Sequence, residues 1–353
     1  MRKPTACAFF MLPEKGDNLF MPKLSVFAIF ALALPAIAQQ PAPTPAASLS
    51  INSPWLFAGF KGNGEDGVYY ALSPDGYHWT IANQDRPVFH QPQPTGLSNG
   101  LSNGSQNELM RDPFLQRGPD GTFHLVWTWS WRSPTVIGHS TSTDLVHWTP
   151  HQQLNVLANE PDAINAWAPA LYYQADHKRW LIFWSSTIPG RFPGDDSGEN
   201  GLNHRIFYTT TADFAKLAPA KVFFDPGYSV IDATLVHTGS NYHLIFKDER
   251  KTPLKKTLQV ASGPTMAGPW SNITPPISEP WSEGAAIIRV KDGYLAYYDH
   301  YHDPQHYGAL FSNDLKTWTD ATSRITFPTK LRHGSFLQIT QAEYNQINSL
   351  VLP

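Results

Sequence analysis

The sequence predicts an all-β protein, a five-bladed β-propeller. Two observations carry that expectation. A turn motif recurs at constant spacing, and strand-length aromatic segments are separated by hairpin signals. No long segment shows clean helical periodicity.

The turn motif is a small hydroxyl residue, any residue, then Asp, with Trp four positions on in most copies. It reads Ser73-Pro74-Asp75 with Trp79, Ser142-Thr143-Asp144 with Trp148, Thr211-Ala212-Asp213 without Trp, and Ser312-Asn313-Asp314 with Trp318. Asp75, Asp144 and Asp213 are 69 residues apart each time. Asp213 and Asp314 are 101 apart, room for a diverged unit ending at Gly268-Pro269-Trp270. Five units result, of about 50–70 residues each, the mark of a repeat architecture.

Each unit runs in the same order. In the second, Pro113-Phe114-Leu115 leads to a turn at Pro119-Asp120-Gly121 and then Phe123-His124-Leu125-Val126-Trp127. In the fifth, Ala285-Ala286-Ile287-Ile288 leads to Lys291-Asp292-Gly293 and then Tyr294 to Tyr298. Asp-Gly between apolar runs marks a tight hairpin, because Gly accepts positive φ. A third strand and the Asp turn follow, giving roughly four strands per blade. The motif Asp reads as a backbone acceptor inside its turn, and the motif Trp as packing between blades. A leftover strand, His333 to Leu337, is expected to close the ring on the blade that begins near Trp55.

The ends read differently. Residues 1–38 are expected to be a signal region, with translation starting at Met21. A basic Met21-Pro22-Lys23 precedes an apolar Leu24–Pro35, and Ala36-Ile37-Ala38 is a small-x-small cleavage site. Residues 39–50 read as a Pro/Ala-rich linker, and 51–353 as the single propeller domain. A secreted or periplasmic, monomeric protein without a membrane anchor is expected. The single cysteine, Cys7, lies in the leader, so thiolate catalysis and thiolate metal sites are excluded from the mature chain. Net charge is −3 with no strong basic cluster, which argues against a nucleic-acid surface. The 12 Trp and 14 Tyr suit both blade packing and a sugar-binding wall.

Innermost strands of a propeller converge on its axis, so the residues that begin them meet. They are Arg111-Asp112-Pro113, Trp167-Ala168-Pro169, Ile231-Asp232-Ala233, Glu283-Gly284-Ala285 and Arg332-His333-Gly334. Three carboxylates and an imidazole at one mouth repel or pair, and so split their pKa values, as acid–base chemistry needs.

This ordered set resembles the family-43 glycoside hydrolases, over Trp55 to Thr340. The resemblance implies a five-bladed hydrolase that removes arabinose, xylose or galactose units from plant polysaccharides. It implies Asp112 as general base, Glu283 as general acid and Asp232 as the group that orients the acid and raises its pKa. Ala233 and Ala285 stand where the family usually has Pro, which marks a divergent branch. Inversion at the anomeric carbon is expected, since blades around a ring hold the acid and base far apart.

Arg111, Trp167, Trp129, Lys247, Glu249 and His333 are candidate substrate contacts, with Trp131 a further candidate for the stacking wall. In Lys247-Asp248-Glu249-Arg250, strand alternation sends Lys247 and Glu249 to one face and Asp248 and Arg250 to the other. No cofactor is required. The metal question stays open: His333 could hold a central calcium ion through water, and His300, His302 and His306 lie near Asp299 and Asp303. A non-catalytic carbohydrate-binding propeller, a protein-interaction platform and a retaining fructan-cleaving propeller are the rival readings.

Overall fold

The computed structural model describes residues 49–90, 108–132, 135–192 and 198–352, all within one compact unit. The expected leader, most of the linker, and the loops around Asn99-Gly100 and Asp195-Asp196 lie outside the described residues.

Among the described residues five antiparallel sheets form, one per blade. Blade 2 contains β5 (Arg111–Arg117), β6 (Phe123–Thr128), β7 (Val136–Ser142) and β8 (Gln152–Asn155). Blade 3 contains β9 (Trp167–Gln174), β10 (Arg179–Thr187), β11 (His204–Thr211) and β12 (Lys221–Phe224). Blade 4 has only β13 (Val230–Thr238), β14 (Asn241–Asp248) and β15 (Thr257–Gly263). Its fourth position shrinks to a bridge between Ser262 and Ser271, consistent with its degenerate turn motif. Blade 5 contains β16 (Ser282–Val290), β17 (Gly293–His300), β18 (His306–Ser312) and β19 (Thr319–Asp320).

Blade 1 is assembled from both ends of the domain. It joins β1 (Trp55–Phe60), β2 (Gly67–Ser73), β3 (Thr80–Ile81) and β4 (Phe89–His90) to β20 (Arg332–Gln338), which takes the innermost place. Phe57 faces Phe336 and Trp55 faces Gln338 across the seam. The ring therefore closes where the sequence predicted. A short helix, α1 (Gln341–Asn348), follows; eight residues are too few to show periodicity in sequence. Thr340 and Glu343 cap it reciprocally, and Glu343 also takes two hydrogen bonds from Arg117.

The repeated turns are structural. Asp144 Oδ1 accepts the N–H groups of Val146 and His147 at 2.9 and 2.8 Å, while Ser142 Oγ accepts that of Leu145 at 2.9 Å. Asp75, Asp213 and Asp314 do the same in their turns. The motif Trp packs on the preceding blade: Trp79 on Tyr297, Trp148 on Phe89, Trp270 on Phe223. Blade 3 lacks that Trp, and Phe214 replaces it by stacking on His139 of blade 2 at 4.2 Å.

All five innermost strands carry a β-bulge at the same place. Two residues oppose one at 112–113, 168–169, 232–233, 284–285 and 333–334. The first bulged residue has positive φ in four of them: Asp112, Ala168, Asp232 and Gly284. For the three non-glycine residues that conformation costs about 1–3 kcal/mol each. Bulges re-aim side chains, and here they turn one residue per blade toward the axis.

Candidate active site

The bulge register separates the acids into two kinds. Asp112, Asp232 and His333 are bulged residues, whereas Glu283 precedes its bulge and Gly284 holds the equivalent place. A Cβ on Gly284 would lie 2.3 Å from Cγ of His333, so only glycine leaves room for the imidazole. The expectation that all three acids sit at equivalent repeat positions is corrected by one residue at Glu283.

The second strands tie the bulges together. Thr128 Oγ1 donates to Asp112 Oδ2 at 2.7 Å and accepts the Ala168 N–H at 2.8 Å. Ser185 Oγ accepts the Asp232 N–H, and Asp299 Oδ2 accepts that of His333. Asp232 Oδ2 accepts the Gly284 N–H at 3.1 Å. Blades 2, 3, 4 and 5 each thus hold the next blade's bulge, which pre-orients the side chains before anything binds.

These residues line a cavity of about 380 Å³. It is walled by Arg111, Asp112, Trp167, Asp232, Lys247, Glu249, Glu283 and His333 from the predicted set. Trp129 is not among them. It is buried in the core beside Trp127, because it shares the core-facing side of that segment while Thr128 between them faces the cavity. Trp131 is the tryptophan that reaches the cavity. It is 39% exposed, its Nε1 donates to Asn63 Oδ1 at 2.9 Å, and its ring covers Arg111 at 4.1 Å. Trp167 meets it edge-on at 5.2 Å and donates its Nε1 to the Trp131 carbonyl.

A buried chain of alternating charge crosses the site. Lys256 pairs with Glu249, and Lys247 Nζ lies 2.9 Å from Glu249 and 3.0 Å from Glu283. Arg332 continues it, 3.0 Å from Glu283 and 2.8 Å from Asp299. Alternation holds as predicted, with Asp248 paired to Arg250 on the other face. Lys247, Asp248 and Glu249 are buried, while Arg250 stays partly exposed.

Burial would raise the Glu283 pKa, but Lys247, Arg332 and His333 hold it below the usual carboxylate range. Burial instead pushes Asp232 up to about 6, with Glu283 and Asp112 adding to the rise. In the free protein Glu283 is therefore held toward its ionised form, where the sequence reading had it protonated, and Asp232 is the acid of the pair that is pushed up. Asp112 is buried too, yet His333, Arg111 and Thr128 keep it well below the usual range. His333 Nδ1 lies 3.2 Å from Asp112 and 3.8 Å from Asp232. Burial opposes its protonation, but those carboxylates raise its pKa to about 9.

At the central candidate place the His333 imidazole faces Asp112 and Asp232. Among the described residues no group of three or more His, Cys, Asp or Glu could hold a metal. At the second candidate place, His300 stacks on His306 at 4.7 Å, and Asp299 is occupied by Arg332 and Gln305.

Arg332, Tyr301 and Thr128 join the site without having been assigned a role from sequence, and Asp299, read there as a candidate metal ligand, joins it as the partner of Arg332. Arg332 had a signal, since it precedes its bulge as Arg111 precedes Asp112. The others are spread over second strands and a loop, where no motif marks them.

A family model described as "Probable glycosyl hydrolase domain", related to glycosyl hydrolase family 43, matches residues 52–345. The chain belongs to that family. A relative named as an alpha-L-arabinofuranosidase of Bifidobacterium longum subsp. longum is 27% identical over 173 residues. That match spans 42% of this chain and 16% of the relative. Among solved structures, a family-43 glycoside hydrolase engineered for endo-xylanase and exo-arabinofuranosidase activity superposes with a TM-score of 0.53. It is 13% identical, over 81% of this chain and 54% of the other. An endo-1,4-beta-xylanase of Bacteroides thetaiotaomicron superposes with a TM-score of 0.52 at 14% identity, over 76% and 91%. At such identity these two establish the propeller fold of this family-43-related chain. No helix of the described residues is long and apolar enough to cross a membrane.

Proposed function

We propose that this family member hydrolyses glycosidic bonds of plant-type poly- or oligosaccharides by an inverting acid/base mechanism, releasing arabinose, xylose or galactose units. One observation carries the reading: Asp112 and Glu283, opposite in role, line one cavity from blades that are not neighbours in the ring. Inversion requires the two carboxyls about 6.5–9.5 Å apart, with a water between base and sugar, and carboxyls from non-neighbouring blades favour that spacing. The relatives' names, an arabinofuranosidase and a xylanase, favour pentose units.

Asp112 is ionised and fixed by Thr128 and His333, ready to take a proton from the attacking water. Glu283 donates to the leaving oxygen. Because Lys247 and Arg332 hold it ionised, it gains its proton as the sugar enters and strips water from it. Asp232, against the backbone next to Glu283, is the neighbouring carboxyl with which that proton is shared. Trp131 and Trp167 cover apolar C–H faces of the sugar. The protein acts as a secreted or periplasmic monomer after loss of its leader, which mass spectrometry of the exported chain would check.

The deciding test compares an activated aryl-glycoside with a natural oligosaccharide. Glu283→Ala keeps more activity on the first, whose leaving group needs little protonation. Asp112→Ala loses both, because water must still be activated. If both variants hydrolyse normally, the protein is a sugar-binding propeller without catalysis.

A further inference from the structure

His204 opens β11 in blade 3 and lines the cavity. Its side chain is 1% exposed, and neither ring nitrogen has a hydrogen-bond partner among the described residues. Buried polar atoms are almost always satisfied, so an orphan imidazole on a cavity wall calls for an explanation.

Its backbone is fixed. The His204 N–H donates to Ser229 Oγ at 3.1 Å, and the residue pairs with Thr187 across the sheet. Its ring rests against Trp167, centroids 4.9 Å apart. Swinging the ring away to find a partner would cost that contact.

The surroundings narrow what could bind there. Burial lowers the His204 pKa to about 4, and Lys256, Lys247 and Arg205 add to that effect against Glu249. The ring is neutral, with one donor and one acceptor nitrogen. Three nearby cations disfavour a metal ion. Glu249 and Glu283 on the same wall disfavour an anion. A neutral hydroxyl can either donate to the bare nitrogen or accept from the N–H, and so suits one nitrogen of the ring in either tautomer.

We propose that His204 is a specificity residue that hydrogen-bonds a hydroxyl of the sugar lying against Trp167, outside the carboxylate cluster. The inference rests on the glycoside-hydrolase reading and extends it. An uncharged sugar with a free hydroxyl toward β11 is selected, and one that is deoxygenated or substituted there is rejected.

The test uses 4-nitrophenyl α-L-arabinofuranoside and 4-nitrophenyl β-D-xylopyranoside. His204→Ala is expected to raise KM about tenfold on the better substrate while kcat stays within about threefold, the size of one lost hydrogen bond to substrate. His204→Asn, which keeps a donor and an acceptor, recovers part of the loss. Thermal unfolding of both variants checks that the fold is intact. In parallel, free L-arabinose and D-xylose are titrated into the wild-type protein. Tryptophan fluorescence follows cavity binding, and the His204 imidazole NMR signal, assigned by its loss in His204→Ala, follows the contact. Fluorescence that responds while the imidazole signal and KM stay unchanged overturns the role of His204 and leaves the hydrolase reading standing. If no sugar binds and no glycoside is hydrolysed, the hydrolase reading itself fails, and this inference with it.

Discussion

Lys247 Nζ stands 3.0 Å from Glu283 Oε2, and both side chains are shielded from solvent inside the cavity wall. This contact sets the charge of the proposed acid. An ammonium that close stabilises the carboxylate form, and Arg332 reinforces it from the other oxygen.

The pH profile should report this pairing. Glu283 is held low and Asp232 is pushed up to about 6, so kcat/KM should fall as pH rises through the acidic range toward 6. Lys247→Met removes a positive charge, raises the Glu283 pKa and moves that alkaline limb up. Asp232→Asn removes the carboxyl that shares the proton and moves it down toward the lower range of Glu283. An alkaline limb that stays put in both variants would disconnect these groups from the acid. Lys247→Met should also cost about 3 kcal/mol in stability, because it leaves buried carboxylates undercompensated.

His333 should make stability depend on alkaline pH. Its folded pKa is about 9 against an ordinary 6.5. The imidazolium therefore stabilises the fold fully below about 6.5, and that contribution is lost as pH rises through 9. Tm should decline between pH 6.5 and 9.5 in the wild type. His333→Gln should be less stable at neutral pH and lack most of that slope.

His124 and His139 should act at the other end. They stack in the core between blades 2 and 3, and burial lowers them to about 3 and about 4. Both are neutral in the fold, so stability is present above 6.5 and is lost as pH falls toward those values. Thermal unfolding from pH 7 to 4 should show a fall in Tm that is smaller in a His124→Leu, His139→Leu double variant.

The motif Asp residues should matter for folding and not for chemistry. Asp144→Ala loses two backbone N–H bonds in its turn and should lower stability by about 1–3 kcal/mol. Its KM and kcat on any glycoside should stay at wild-type values. A selective loss of kcat with unchanged Tm would contradict the structural role.

Much of the site was legible because a propeller repeats. Asp112, Asp232, Glu283 and His333 were found by asking what begins each innermost strand. Closure near Phe57 and Phe336 followed from a strand left over after five units. Trp129 was misjudged for a local reason. Trp127 and Trp129 both face the core while Thr128 faces the cavity, and only past the end of β6 does a tryptophan, Trp131, reach the cavity.

By itself the sequence determined the blade count, the turn chemistry and the residue types that meet at the axis. These follow from local patterns that repeat, and repetition makes a weak signal readable. Only the tertiary structure decided which carboxyl keeps its proton. That depends on Lys247 and Arg332 converging on Glu283 from two other blades, and on Gly284 leaving space for His333. Charge interactions at 3 Å between residues tens of positions apart leave no periodic trace in the chain, and they push two acids that look alike in sequence in opposite directions.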